Sequence, residues 1–196
     1  MNKNKFLKEI LQKGFFKGVF LTVFLGYFIF ITTDIVNSSP YEKKDSHKEF
    51  KNEPELDKIV KGKAKVIDGD SLYVNNNEIR LLDIDAPEYR QTCFDDNNNS
   101  YKCGVESANF LRELIEGKDI SCYYSQKDIY YRILARCFLG NDSINEKIIS
   151  SGMAVIYDLS KANQTIINLE NRAKINKLGI WRGYFQLPKE YRRSEK

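Results

Sequence analysis

The sequence predicts an α+β fold, mainly β: a five-stranded barrel of OB type with about three packed helices, preceded by one apolar N-terminal helix. Three observations predict it. Residues 63–84 and 120–139 run in short apolar stretches broken by turn signals, the mark of antiparallel strands. Residues 105–116, 144–151 and 162–177 carry apolar side chains at helical spacing, each stretch followed by a glycine. A run of 16 uncharged residues, Gly18 to Thr33, stands apart from both.

That run follows Lys3, Lys5, Lys8, Lys13 and Lys17, which face a single acid, Glu9. It has no polar face to meet water, so it reads as a membrane anchor or a signal segment, over residues 1–36 with its basic tail. Phe15 and Phe16 lengthen the run if Lys17 snorkels to the interface. No alanine precedes Ala64, so an A-x-A cleavage site is ruled out, and Val36-Asn37-Ser38 is a poor substitute. An anchor is the favoured expectation. The lysines stay on the cytoplasmic side, and the chain beyond the run is membrane-anchored and extracytoplasmic, or secreted if the segment is cleaved. Residues 37–60 are polar and charged, the composition of a linker.

The folded domain is expected over 61–187, with a basic tail over 188–196. AKVI (64–67) and SLYV (71–74) are strands separated by Asp68-Gly69-Asp70, and Asn75-Asn76-Asn77 turns the chain into EIRLLDI (78–84). Residues 86–104 are polar and irregular. Val105, Ala108, Leu111 and Ile115 share a helical face, and Gly117 ends that helix. Two strands, 120–124 and 132–139, flank a polar turn; helices over 144–151 and 162–177 follow, the second with Ile166, Leu169 and Ala173 inward.

The whole chain holds 31 basic and 27 acidic side chains, and residues 61–196 hold 21 and 19, so charge alone does not identify a nucleic-acid binder. The histidine count is more informative. The chain has one, His47, upstream of the domain, which excludes a Ser-His-Asp triad, a His-metal hydrolase and a histidine base. Carboxylates and arginines remain. Asp68, Asp70, Asp83, Asp85 and Glu88 fall within 21 residues, and pairing through the asparagine turn brings Asp70 near Asp83 and Asp85 at one rim. Acids so gathered repel unless a cation joins them, and oxygen ligands suit a hard ion. Alone, Asp-Gly-Asp is a common turn; it also lacks the twelve-residue EF-hand pattern.

Five ordered blocks carry a resemblance: Val66-Ile-Asp-Gly-Asp-Ser, Ile79-Arg-Leu-Leu-Asp-Ile-Asp-Ala-Pro-Glu, Asp128-Ile-Tyr-Tyr-Arg-Ile-Leu-Ala, Asn145-Glu with Ser151-Gly-Met-Ala, and Leu178-Gly-Ile-Trp. Together they resemble the thermonuclease (staphylococcal nuclease-like) family. The resemblance implies a Ca²⁺-dependent nuclease acting on DNA and/or RNA. It implies that Asp70, Asp85 and the Ala86 backbone carbonyl hold one Ca²⁺, with Asp68 behind them. Glu88 is the implied base for in-line attack of water. Arg80 and Arg132 are implied to hold phosphoryl oxygens, and Tyr130 to contact a substrate phosphate. Arg80 lies five residues from Asp85, roughly 17 Å along a straight strand, so sharing one phosphate requires a bend or the long arginine arm. Tyr131 stands where the family usually has glycine, and the loop presenting Arg132 is therefore expected to differ.

The four cysteines permit three pairings. The absence of C-x₂-C spacing argues against zinc. A turn centred between Ile129 and Tyr130 sets Cys122 across from Cys137, leaving Cys93 and Cys103 to close the loop after Glu88. This pairing resembles an exported subset of the family, in keeping with disulfides outside the cytoplasm. The competing expectation is a non-catalytic OB-fold module that binds nucleic acid or another partner. Loss of Asp85, Glu88 or either arginine would have favoured it. Nothing in the sequence calls for an obligate protein partner.

Overall fold

The computed structural model describes residues 56–195, so the basic tail, the apolar run and most of the linker lie outside the described residues. Strand β1 (Lys58–Val66) pairs antiparallel with β2 (Ser71–Val74), which pairs with β3 (Asn77–Leu81) through the asparagine turn. Asn75 and Asn76 take that turn at φ 46° and 62°, the conformation a two-residue hairpin demands and asparagine tolerates. Further along the chain, β7 (Asp119–Lys127) pairs with β1 and with β8 (Ile133–Leu139), and β8 runs parallel to β3. That last pairing closes five strands into a barrel, as an OB-type fold requires. A short strand, β9 (Asp142–Ser143), folds back on the end of β8.

Alternate side chains of these strands point inward: Ala64 and Val66, Leu72 and Val74, Ile79 and Leu81, Ile133 and Ala135 are all buried. The helix α1 (Cys103–Ile115) adds Leu111 and Ile115 to this core, and α2 (Ile144–Ser150) adds Ile148 and Ile149. Each fully buried aliphatic side chain of this kind contributes about 2 kcal/mol. Helix α3 (Gln164–Ile175) supplies Ile166, Leu169 and Ala173, and its N-cap is Asn163, whose Oδ1 accepts from the Ile166 N–H at 2.9 Å. A 3₁₀ turn, Gly179–Arg182, follows it.

The structure departs from the sequence expectation in several places. The barrel begins at Lys58, ahead of residue 61. The expected strand over 78–84 is broken: β3 stops at Leu81, and a two-residue strand, β4 (Ile84–Asp85), starts afresh and pairs with β10 (Val155–Ile156). The adjacent Leu81-Leu82 pair breaks the in–out alternation, and Asp83 sits at φ 69°. The bend is held on both sides: Leu82 donates its N–H to Ala135 O at 2.8 Å, and buried Asn145 donates Nδ2 to Leu82 O at 2.9 Å. Residues 86–104 are not wholly irregular, since β5 (Cys93–Asp95) pairs with β6 (Ser100–Tyr101) and with β11 (Gly183–Tyr184). Residues 188–196, expected as a tail, include a fourth helix, α4 (Pro188–Ser194), opened by Pro188 at its first turn.

Both expected disulfides are present, Cys93–Cys103 and Cys122–Cys137, with Cα atoms 5.6 Å and 4.0 Å apart. Cys122 lies directly across from Cys137, and the register shifts by one residue at a bulge between Tyr124 and Gln126.

The loop before β8 was expected to differ because Tyr131 replaces glycine, yet Tyr131 occupies the left-handed region, at φ 67°. Asp128 imposes this conformation. Its Oδ1 accepts the Tyr130 and Arg132 N–H groups, each at 2.9 Å, and its carbonyl accepts the Tyr131 N–H at 3.0 Å. Left-handed φ strains a tyrosine and not a glycine, so Tyr131→Gly is expected to stabilise the fold by about 1 kcal/mol, or roughly 3 °C in Tm. Thermal unfolding checks this, and no gain would mean that Tyr131 makes contacts that offset its backbone strain.

Candidate functional site

The site forms where β2 begins and β3 ends. Register sets Arg80 opposite Ser71, so its side chain reaches back to Asp70. The bend at Leu82–Asp83 folds the chain so that Asp85 returns to the same guanidinium. Arg80 Nη1 donates to Asp70 Oδ1, and Nη2 donates to Asp85 Oδ1 at 2.6 Å. The separation that a straight strand would impose is thereby removed by a bend.

Both acids are buried, Asp70 at 1% exposure and Asp85 at 2%. Asp70 also accepts the Ser71 hydroxyl at 3.0 Å and the Ala86 N–H at 2.6 Å. Its carboxyl is pushed up to about 7, chiefly by burial with Asp68 and Asp85 adding to the rise, against the downward pull of Arg80 and the Ala86 N–H. Burial works against the Arg80 charge, but Asp70 and Asp85 override it and hold the guanidinium above its ordinary range. Asp68 stands behind the pair, its Oδ1 accepting the Asp70 N–H at 3.1 Å. Gly69 between them fits a space with no room for a side chain: a Cβ there would lie 2.2 Å from Ser107 Oγ and 2.6 Å from the Ala86 Cβ. Asp-Gly-Asp is thus a turn pressed against α1.

Glu88 is held from the backbone by Gln91. Gln91 Oε1 accepts the Glu88 N–H at 3.1 Å, and the Gln91 N–H donates to Glu88 O at 2.7 Å. Gly104, in the first turn of α1, packs under the same carbonyl, where a Cβ would lie 1.8 Å from the oxygen. The Cys93–Cys103 bridge ties this loop to the start of α1.

A second arginine completes the cluster. Arg192, on α4, donates Nη1 to Asp85 Oδ1 at 2.9 Å and to Glu88 Oε1 at 2.7 Å, and Nη2 to Asp85 Oδ2 at 3.0 Å. Burial opposes the charge on Arg192, but these hydrogen bonds outweigh it and hold the guanidinium protonated well above its ordinary range. Sequence reasoning missed Arg192, because a basic C-terminal stretch carries no signal of where it docks. It also missed Gln91, a buried polar residue in a stretch with no periodicity.

Three expected residues lie elsewhere in the structure. Asp83 does not join the acids; its carboxylate pairs with Arg136 at 3.0 Å. Arg132 is bound to Asp128, with Nε and Nη2 each 2.8 Å from Oδ2. Burial raises the Asp128 carboxyl, but hydrogen bonds from the Arg132 side chain and the Arg132 and Tyr130 backbone win, and it stays below the usual range. Tyr130 is exposed, with the Arg132 guanidinium 5.6 Å from its ring centre. Arg132 immediately precedes Ile133, which lies opposite Ile79 next to Arg80, so the two arginines reach one end of adjacent parallel strands.

Among the described residues no three Asp, Glu, His or Cys side chains form a metal cage by themselves. Asp70 and Asp85 still suit a hard cation. They are buried oxygen donors held a guanidinium's width apart, and the carboxyl groups of Asp68, Asp70, Asp85 and Glu88 outnumber the two guanidiniums gathered with them. Backbone carbonyl and water oxygens would have to complete its shell.

A cleft of about 340 Å³ is lined by Arg90, Phe94, Tyr184, Phe185 and Tyr191 among others, Arg90 and Tyr191 lying close in sequence to Glu88 and Arg192. Phe94 and Tyr184 are directly opposed on β5 and β11, and Tyr184 is 73% exposed.

Residues 78–183 match the protein family described as staphylococcal nuclease homologue. The chain is 34% identical over 123 residues to a succinoglycan biosynthesis protein, ExoI, of Rhizobium meliloti, covering 62% of this chain and 64% of that protein. It is 29% identical over 123 residues to an uncharacterised endonuclease of Escherichia coli, covering 60% of this chain and 74% of that one. With a probable endonuclease, LCL3, of Komagataella phaffii the identity is 29% over 153 residues, covering 71% and 60%. The chain thus spans less than two thirds of the length of the first and third of these relatives.

Removing one member of a buried ion cluster leaves the others uncompensated. Arg80→Met is therefore expected to destabilise the fold by about 3 kcal/mol in calcium-free buffer. Urea unfolding checks this; a loss under about 0.5 kcal/mol would mean that other groups hold the acids together.

Proposed function

Because this chain belongs to the staphylococcal nuclease homologue family, we propose that it is a nuclease hydrolysing phosphodiester bonds of DNA and/or RNA with the help of one Ca²⁺. The observation that carries this reading is the buried pair Asp70 and Asp85 on the fork of Arg80, with Glu88 beside them. Two relatives are named as endonucleases, one uncharacterised and one probable, which supports the same class of reaction.

Asp70, Asp85 and the Ala86 carbonyl would hold the cation. When bound, it supplies positive charge that polarises a phosphoryl oxygen and neutralises the acids. Arg80, whose fork holds Asp70 and Asp85, would turn to the phosphoryl oxygens, for which its planar geometry is suited. Glu88, half-exposed at the edge of the cluster, takes the proton of the attacking water, or orients that water, for in-line displacement at phosphorus. Arg132 is carried next to Arg80 by the parallel pairing of β3 and β8; it must exchange Asp128 for phosphate to take part. Asp68 keeps the Asp70 backbone in place. Exposed Tyr130 is positioned on the surface of the Arg132 loop, as a phosphate contact would need. The cleft lined by Arg90, Phe94 and Tyr184 offers aromatic faces and a guanidinium, the chemistry on which unpaired bases stack.

We place the catalytic domain outside the cytoplasm, anchored by the apolar run Gly18 to Thr33. The two disulfides support an oxidising compartment. The mature protein in cell fractions is then expected to retain Met1 or Asn2 and to partition with membranes. A soluble form starting near Ser39 would replace the anchor with a cleaved signal.

The function is tested by incubating the full-length chain with single-stranded DNA and RNA in Ca²⁺ or EDTA. Cleavage is expected in Ca²⁺ and none in EDTA. Glu88→Gln is expected to lower kcat by about 100-fold or more. Cleavage that survives EDTA rejects the calcium mechanism, and full activity in Glu88→Gln rejects the base. Binding without cleavage in any divalent metal would return the non-catalytic module.

A further inference from the structure

We propose that Arg192 is a positioning residue of the reaction, setting the Glu88 carboxylate over the acid pair. The inference rests on Glu88 being the base. Arg192 lies beyond the segment, 78–183, that matches the family. Among the described residues, the Glu88 carboxylate accepts a hydrogen bond from Arg192 alone, at 2.7 Å. Without that bond, a glutamate 34% exposed is free to swing into solvent, and Asp85 repels it. The same Nη1 also binds Asp85, so a single nitrogen ties two like-charged groups and fixes their separation. Nη2 binds the second Asp85 oxygen and sets the plane of the fork. A lysine ammonium could neutralise both acids but could not define that plane.

Arg192 is itself delivered on anchored chain. Gln91 is fully buried; its Oε1 accepts the Glu88 N–H, and its Nε2 donates to Gln186 O at 2.6 Å. One side chain thus fixes both the backbone of Glu88 and the segment leading into α4. Pro188 is buried at the start of the helix, and Tyr191, next to Arg192, packs into the wall of the aromatic cleft. These contacts leave the guanidinium a defined approach to Asp85 and Glu88.

A positioning role differs from a merely structural one in a double-mutant cycle. The full-length chain and its Arg192→Ala, Arg192→Lys, Glu88→Gln and Arg192→Ala/Glu88→Gln variants are assayed on single-stranded DNA at saturating Ca²⁺. Arg192→Ala is expected to lower kcat about 100-fold with KM within about twofold, and Arg192→Lys to fall in between. In the Glu88→Gln background, Arg192→Ala is expected to cost less than about twofold more, because the group it positions is already gone. An equal loss in both backgrounds, a loss carried by KM, or no loss overturns the proposal. If Arg192→Ala lowers Tm, the cycle is run with Arg192→Lys, and the same outcomes decide. Full activity in Glu88→Gln sinks the base and this inference together; a crippled Glu88→Gln with an unaffected Arg192→Ala sinks this inference alone.

Discussion

Two carboxylates buried side by side are the constraint that the rest of the structure serves. Asp70 and Asp85 are 1% and 2% exposed. Two like charges about 5 Å apart repel by roughly 3 kcal/mol at an effective dielectric near 20, before any cost of leaving water. The Arg80 fork offsets this by taking one oxygen of each. Barrel geometry places all three side chains. Asp70 precedes β2, Arg80 lies opposite Ser71 on β3, and the bend at Leu82–Asp83 returns Asp85 to the rim. Asn145 makes the bend stiff by holding Leu82 O while its own Oδ1 accepts the Cys137 N–H.

Helix α1 is the platform under this cluster. Gly69 and Gly104 are glycines because Ser107, Ala86 and the Glu88 carbonyl approach too closely for a side chain. The first brings the Asp-Gly-Asp turn down onto the helix, and the second brings the Glu88 loop onto its first turn. The Cys93–Cys103 bridge fastens that loop to the same helix end, so the acids and Glu88 share one rigid support.

Much of this was legible in the sequence because it is local or periodic. The hairpin from Ser71 to Leu81, the Cys122–Cys137 register and the first three helices can each be read from spacing along a single stretch. The bend was legible only as a requirement, because its cause is Asn145, distant in sequence. Tyr131 shows the opposite failure. Propensity argues against positive φ for tyrosine, and three hydrogen bonds to Asp128 override it at that position. Arg192 and Gln91 were invisible because each acts through a contact of high sequence separation, and neither sits in a patterned stretch. Arg132 and Asp83 carry the same lesson. Both are charged residues near the rim, and local acid or arginine neighbours decide where they point.

Charge in this domain is local. Residues 61–196 carry only two more basic than acidic side chains, so a polyanion is not drawn by bulk field. The arginines that would greet it are already engaged: Arg80 and Arg192 with Asp85, Arg132 with Asp128. A phosphate entering such a site binds by exchange and not by filling an open positive pocket. The exchange is geometrically easy, because a phosphate presents paired oxygens to a guanidinium much as a carboxylate does. It is energetically hard while the released acids remain buried and uncompensated. Under the proposed mechanism, a divalent cation on Asp70 and Asp85 would remove that cost, and cation and phosphate binding would be coupled through the shared arginine, Arg80.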